Sequence, residues 1–174
     1  MTEPMKYGQT EFEVHLPPEL IAAELEPNQV DLPQRTTAEH IRWALDHPID
    51  SAPLKELVKA GDKVCVVISD VTRRWQAPDT YLPILIGELE AAGVRDEDIL
   101  ILSATGTHRR QTEEEHIGLV TKPVYDRIRV EDHVCTDQDN LAYVGTTSRG
   151  TPVWLDKRAL ACDKIILTGG VVYH

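Results

Sequence analysis

The sequence predicts an α/β fold: a mostly parallel sheet flanked by helices, Rossmann-like in its three layers, with an antiparallel hairpin at one edge. Three observations predict it. Val64–Ile68, Ile99–Leu102 and Lys164–Leu167 are short strand-like runs dominated by apolar residues, the pattern of strands covered on both faces. Helix-period segments at 79–92 and 112–119 stand between them, where the crossover helices of a parallel sheet belong. Finally, 174 residues with 41% apolar and 27% charged side chains have the make-up of an ordinary globular domain.

Each element arises from local chemistry. Phe12, Val14 and Leu16 alternate with Glu11, Glu13 and His15, which gives a short strand ended by Pro17–Pro18. Residues 24–36 are polar and proline-containing, a loop. Thr36 with Glu39 is a capping-box pair ahead of Ile41, Ala44 and Leu45, so a helix starts there and stops at Pro48. A short helix at 53–60 ends at Gly61. The strand Val64–Ile68 comes next, then the helix at 79–92 carrying Leu82, Leu85, Ile86 and Leu89, closed by Gly93. Pro83 is acceptable in its first turn. After Ile99–Leu102, Thr112 and Glu115 repeat the capping box for the helix at 112–119. Ile128 and Val130 mark a strand, Val144–Leu155 a hairpin turning near Ser148–Gly150, and Lys164–Leu167 the last buried strand.

The formal net charge of −11 repels phosphate backbones and anionic lipid, so neither nucleic acid nor membrane is an expected partner. Cys65, Cys135 and Cys162 are odd in number and lack CxxC spacing. Cys65 and Cys162 adjoin apolar runs and read as packing residues. Reduced thiols suit the cytoplasm, the expected location. The amino terminus has no apolar signal core, and no stretch approaches the ~20 apolar residues of a membrane helix.

Ligands of open α/β sheets bind beyond the carboxyl ends of the strands. The residues directly after each buried strand are therefore informative. Val64–Ile68 leads to Ser69-Asp70-Val71-Thr72-Arg73-Arg74, Ile99–Leu102 to Ser103-Ala104-Thr105-Gly106-Thr107-His108-Arg109, and Lys164–Leu167 to Thr168-Gly169-Gly170-Val171-Val172-Tyr173-His174. Asp70 and Thr72 offer acceptors and a hydroxyl, and Asp70 equally suits a helix cap. Arg73 carries a planar fork suited to carboxylate or phosphate, unless it is a plain surface arginine. His108 and His174 each come after a glycine-containing turn on the same sheet edge, and imidazole is the usual acid/base near neutral pH. His15, His40, His47, His116 and His133 lie away from that edge or in polar segments and read as solvated or packing residues. HExxH, Walker, GxSxG, zinc-spacing and GxGxxG patterns are all missing, so no metal ligands are assigned. Three functions remain open on the residues alone. They are an enzyme using the paired imidazoles as acid and base, a non-catalytic nucleotide- or carboxylate-binding module, and a metal-dependent hydrolase with Asp70, His108 and His174 as ligands.

Asp70-Val71-Thr72-Arg73, Ala104-Thr105-Gly106-Thr107-His108-Arg109 with Thr112-Glu113-Glu114-Glu115, Gly145-Thr146-Thr147 with Gly150-Thr151-Pro152-Val153, and Gly170-Val171-Val172-Tyr173-His174 together resemble the lactate racemase family. Tyr7-Gly8 and Leu16-Pro17 fit the family's start, so the resemblance runs in order through nearly the whole chain. It implies a racemase or epimerase of 2-hydroxyacids working by proton-coupled hydride transfer to a nickel-pincer nucleotide. By the same resemblance Asp70, Val71, Thr72 and Arg73 would bind the cofactor, Arg73 would also meet the substrate carboxylate, and His108 and His174 would be the catalytic acid/base pair. A small 2-hydroxyacid and the carboxy-terminal domain of the same protein are the implied partners.

One departure concerns Trp75, which lies where the family usually turns to proline. It would reshape the pocket or pack on the following helix. The family's cofactor-attachment lysine, a further nickel-ligating histidine and a second domain are absent up to His174. The chain is therefore expected to be the single amino-terminal catalytic domain, 1–174, of a longer protein, inactive by itself. Within it, 1–60 supplies the leading strand and helices and 61–174 the βα core.

Overall fold

The strand Val64–Ser69 (β3) carries side chains that all but vanish from solvent on both faces, and the fold is built around it. A computed structural model describes residues 2–26, 28–31 and 33–171, which fall into two compact units, 1–34 and 35–174. In the first unit, β1 (Thr2–Tyr7) and β2 (Thr10–His15) form an antiparallel hairpin turning at Gly8, whose φ of 61° suits a residue without a Cβ. The alternating strand expected at 11–16 is β2. Its partner β1 is an addition, and Pro4 within it hid the strand pattern.

The second unit begins with α1 (Thr37–Asp46), opened by the expected capping box: Glu39 N donates to Thr36 Oγ1 and Thr36 N to Glu39 Oε2 at 2.7 Å. A single turn, α2 (Leu54–Leu57), replaces the longer helix expected at 53–60. The remaining elements are a 3-10 turn at Val71–Gln76, α3 (Pro78–Ala91), β4 (Ile99–Ala104), α4 (Glu113–Val120), α5 (Lys122–Tyr125), β5 (Arg129–His133), β6 (Leu141–Thr146), β7 (Pro152–Asp156), α6 (Lys157–Leu160) and β8 (Lys164–Leu167). Thr112 and Glu115 close the second capping box at α4.

Four strands pair in parallel in the order β5-β4-β3-β8, the parallel α/β sheet that the apolar runs predict. The β6–β7 hairpin forms, but its strands pair only with each other, as a separate two-stranded sheet rather than an edge of the parallel one. Gly145 at φ 149° sits at the irregularity in its ladder. The hairpin's antiparallel character was readable, while its placement depends on packing.

The two faces of the parallel sheet are covered unequally. Val64, Val66 and Ile68 of β3 and Ile99 and Ile101 of β4 pack with Leu82, Leu85, Ile86 and Leu89 of α3, Leu119 and Val120 of α4 and Val124 of α5. Leu45 and Leu54 bring α1 and α2 onto the same core. The opposite face holds a small cluster of Cys65, Leu100, Leu102 and Ala159, joined by Val67 and Cys162, so both cysteines are packing residues as expected. Burial pushes the Cys65 thiol up to about 12, which makes it a poor nucleophile. Beside this cluster an apolar groove of about 460 Å³ is lined by Val67, Leu102, Trp154, Leu155, Ile165 and Leu167.

Leu89 projects from α3 into the larger core and is 0% exposed. Leu89→Ala is expected to lower the unfolding free energy by about 2–5 kcal/mol in chemical denaturation, through lost burial and the cavity left behind.

Candidate functional site

Strand register places the chemistry. Ser69 of β3 lies opposite Ala104 of β4, so Asp70 and Thr105 leave the sheet level with each other. His133 of β5 is opposite Ala104, and Leu167 of β8 is opposite Val67. The segments after β3, β4 and β8 therefore leave the same edge, as the sequence predicts. The third is tied down by Thr168, whose Oγ1 donates to Val67 O at 3.0 Å and meets Tyr81 Oη at 2.8 Å. A Cβ at Gly170 would come within 3.1 Å of Gln76 Cγ and of the Trp75 ring, so glycine lets this segment approach the 71–76 turn. Trp75 thus lies beside Gly170.

Asp70 is the centre of the cleft. Its Oδ1 accepts from Thr72 N at 3.1 Å and Thr72 Oγ1 at 2.6 Å, capping the 3-10 turn. Its Oδ2 meets His108 Nδ1 at 2.5 Å. Burial pushes the Asp70 carboxyl up, but the bonds from Thr72 and His108 more than offset it and hold it below the ordinary carboxylate range. An ionised carboxylate only accepts, so Nδ1 is the donor in this pair, and the lone pair of an uncharged ring would lie on Nε2. The Asp70 side chain is 5% exposed and that of His108 50% exposed, an arrangement of buried anchor and open imidazole.

The His108 loop turns tightly: His108 N donates to Thr105 O at 3.0 Å, with Gly106 at φ 60°. No atom lies within 4 Å of the position a Cβ at Gly106 would take, so its backbone faces open space. Asp70, Thr72, Arg73, Thr105, Gly106 and His108 line a cleft of about 320 Å³, the lower end of small-ligand size. Arg73 is exposed there, with Nη1 3.3 Å from Thr72 Oγ1. A cation, hydroxyls and open backbone form a donor set suited to phosphate or carboxylate. Among the described residues no group of three histidine, cysteine or acidic side chains is placed to hold a metal ion.

Of the residues singled out in the sequence, Asp70, Thr72, Arg73 and His108 meet in one cleft. Val71 does not line it: Val71 N donates to Gln111 Oε1 at 2.6 Å while its side chain packs on the core. His174 lies outside the described residues, as do Val172 and Tyr173. Arg109 points elsewhere, in a two-point bond to Glu115 at 2.7 and 2.8 Å that helps draw the Glu115 carboxyl down to about 2.

Sequence reasoning passed over a second layer of polar residues. Gln111 Nε2 donates to Ser103 Oγ and Asp132 Oδ1, both at 2.8 Å, and Gln111 N to Asp132 Oδ2 at 2.7 Å. His116 Nε2 sits 2.8 Å from Asp132 Oδ1, a packed and partnered position, the second of the two expected for it. His133 is not in a polar loop: it ends β5, with Nδ1 3.1 Å from Asp156 Oδ2. Arg158 joins that pair, donating from Nη2 to Asp156 Oδ2 at 2.6 Å and to Asp132 O at 2.9 Å, and also to Glu131. The available signal was Asp132 directly before His133 at the end of a strand, a buried polar position that requires partners.

Comparison with known proteins extends this picture. The model of the lactate racemase N-terminal domain matches residues 7–174. The chain is 31% identical over 137 residues to a lactate racemase of Lactiplantibacillus plantarum, covering 78% of this chain and 32% of that protein. To a lactate racemase of Thermoanaerobacterium thermosaccharolyticum it is 25% identical over 169 residues, covering 97% and 39%. The structure of the lactate racemase apoprotein from the latter organism matches with a TM-score of 0.77 at 26% identity, over 96% of this chain and 38% of that one. A Thermotoga maritima protein, 24% identical with a TM-score of 0.59 over 75% of this chain and 33% of that one, shares the fold. The chain thus spans between 32% and 39% of the length of its two curated relatives.

The buried carboxylates of the second layer predict acid sensitivity. Burial raises the Asp156 carboxyl, but Arg158 and His133 outweigh it and bring it down to about 2. A depressed folded-state pKa means that the unfolded chain takes up the proton first on acidification. This stabilisation is therefore complete above the unfolded value of about 4 and is lost as pH falls from there through about 2. Unfolding midpoints measured from pH 6 to pH 2 are expected to fall steeply at the acid end, and Asp156→Asn to flatten that dependence.

Proposed function

The chain belongs to the lactate racemase family through its N-terminal domain, and on that premise we propose that it forms the acid/base and carboxylate-binding half of a 2-hydroxyacid racemase or epimerase. The observation that carries this reading is the 2.5 Å contact between Asp70 Oδ2 and His108 Nδ1, in a cleft that also holds Arg73. A buried carboxylate on one ring nitrogen leaves the other as a directed base toward the cleft, the orienting arrangement a catalytic histidine requires.

Arg73 binds the substrate carboxylate with its planar fork, which sets the C2 hydroxyl near His108. His108 Nε2 takes the hydroxyl proton, and Asp70 stabilises the imidazolium that results. Inversion at C2 would require the hydrogen and its electron pair to return to the opposite face of the planar 2-oxoacid while a second acid returns the proton to the C2 oxygen, a role assigned by family resemblance to His174. The donor set around Thr72, Arg73 and Gly106 fits the anionic parts of a nickel-pincer nucleotide, and Asp70, Val71, Thr72 and Arg73 are the residues that would hold it. When bound, that group supplies the acceptor for the C2 hydrogen and its electron pair, which acid/base side chains cannot remove by themselves. The carboxy-terminal part of the same protein completes the site.

The dyad also argues against the hydrolase alternative. Both Asp70 oxygens are already engaged, Oδ1 by Thr72 and Oδ2 by His108 Nδ1, so the pair is built as hydrogen-bond partners rather than as two ligands of one ion.

In the full-length protein loaded with cofactor, conversion between enantiomers of a 2-hydroxyacid panel is expected, monitored by chiral chromatography. His108→Ala is expected to reduce it by about 100- to 10,000-fold with the fold intact by circular dichroism. Retention of more than a few per cent of the activity would remove His108 from this role. Arg73→Lys keeps the charge but loses the fork, so it is expected to raise KM chiefly, by about tenfold.

A further inference from the structure

We propose that Gln111 is a positioning residue for the Asp70–His108 dyad, with Asp132 and His116 fixing the orientation of its carboxamide. The inference rests on the acid/base reading of that dyad. Gln111 stands two residues ahead of α4, on the segment that carries His108. It makes four hydrogen bonds to three different elements: Oε1 accepts from Val71 N at 2.6 Å, Nε2 donates to Ser103 Oγ and Asp132 Oδ1 at 2.8 Å, and its backbone N donates to Asp132 Oδ2 at 2.7 Å. Those partners lie on the turn after β3, on β4 and on β5.

The chemistry allows only one orientation of the amide. Val71 N–H can only donate, so the carboxamide oxygen must face it. The Asp132 carboxylate can only accept, so the nitrogen must face that. Burial raises the Asp132 carboxyl, and the bonds from His116 and Gln111 overcome this and keep it ionised. Asp132 is 7% exposed overall, and the His116 side chain only 12%. The pair is a fixed block that Gln111 leans on from one side while holding Val71, the residue next to Asp70, from the other.

The consequence concerns reach. Asp70 and His108 come from different strands and touch through a single 2.5 Å contact, since the Thr72 bonds to Asp70 are local and constrain nothing across the cleft. Gln111 is the residue that ties the Asp70 turn to the His108 loop's own segment. Without it the turn and the loop can separate, and a shift of about 1 Å at a reacting group costs about 100-fold in rate. Arg73 lies further along the turn on a long side chain and can follow the substrate, so binding should suffer less than turnover.

The test uses the full-length protein loaded with cofactor. Gln111→Ala is expected to lower kcat by about 10- to 100-fold while KM stays within about threefold. A second readout needs no turnover. The ¹⁵N shifts of the His108 ring, read at a pH where it is uncharged, are expected to report the Nδ1–H tautomer in the parent protein and a mixture of tautomers in Gln111→Ala. Asp132→Asn keeps an acceptor for Gln111 N–H but can no longer accept at both oxygens, and it should shift both readouts in the same direction by less. If Gln111→Ala does not fold by circular dichroism, Asp132→Asn decides. Unchanged kcat, or lost activity with a single Nδ1–H tautomer retained, overturns the proposal. A parent protein that racemises nothing would sink the functional reading instead, and the tautomer comparison would still decide the role of Gln111.

Discussion

A carboxylate withdrawn from water at the end of a central strand has to be paired, and Asp70 is that carboxylate. At 4% exposure it would be expensive to leave alone, because an ionised group loses its hydration on burial. Thr72 answers one oxygen from two residues away, at no cost in chain closure. The other oxygen has no local donor and is met by His108, 38 residues on. The parallel register makes this possible by bringing Ser69 and Ala104 opposite each other. The dyad thus depends on the β3–β4 register.

What was legible in the sequence, and what was not, divides along range. Both capping boxes, the strands of the parallel sheet and the residues at their carboxyl ends are encoded in contiguous patterns. Thr36 with Glu39 and Thr112 with Glu115 could be read directly because three-residue spacing is what the geometry requires. The single-turn helices α5 and α6 are too short for a 3.6-residue period to show, and β1 is broken by Pro4. The partners of the second-layer histidines were hidden for a different reason. His116 meets Asp132 across 16 positions and His133 meets Asp156 across 23, and no local pattern announces either partner. His108 could be singled out as a candidate because it comes after a glycine turn at a strand end, so topology supplied what pairing could not.

The unequal covering of the sheet also separates size from chemistry. The larger concavity is the apolar groove beside Trp154 and Leu167, about 460 Å³ against about 320 Å³ for the Asp70 cleft. The polar groups on its wall, His133 and Asp156, are bound up with Arg158, which staples α6 to β5. Arg158 is held strongly protonated by the Asp156 bond, so this corner is a neutralised structural cluster. Choosing a site by volume would select a packing surface; choosing it by an exposed imidazole with a buried anchor selects the smaller cleft.

Among the described residues three aspartate–histidine pairs stand at this end of the sheet, and they differ in how open the imidazole is. Asp70, Asp132 and Asp156 are all buried and all held below the ordinary carboxylate range, so a lowered pKa does not distinguish them. The imidazoles do. His116 bonds through Nε2 with a side chain 12% exposed, and His133 is 23% exposed beside a competing guanidinium. Of these three rings, His108 alone combines a carboxylate at Nδ1 with half of its side chain in the open. A general acid or base must reach both a substrate and the proton it exchanges, and a ring sealed into a hydrogen-bond block reaches neither. The two closed pairs do what the open one cannot: they hold the frame rigid, so that the exposed ring keeps its direction without being buried.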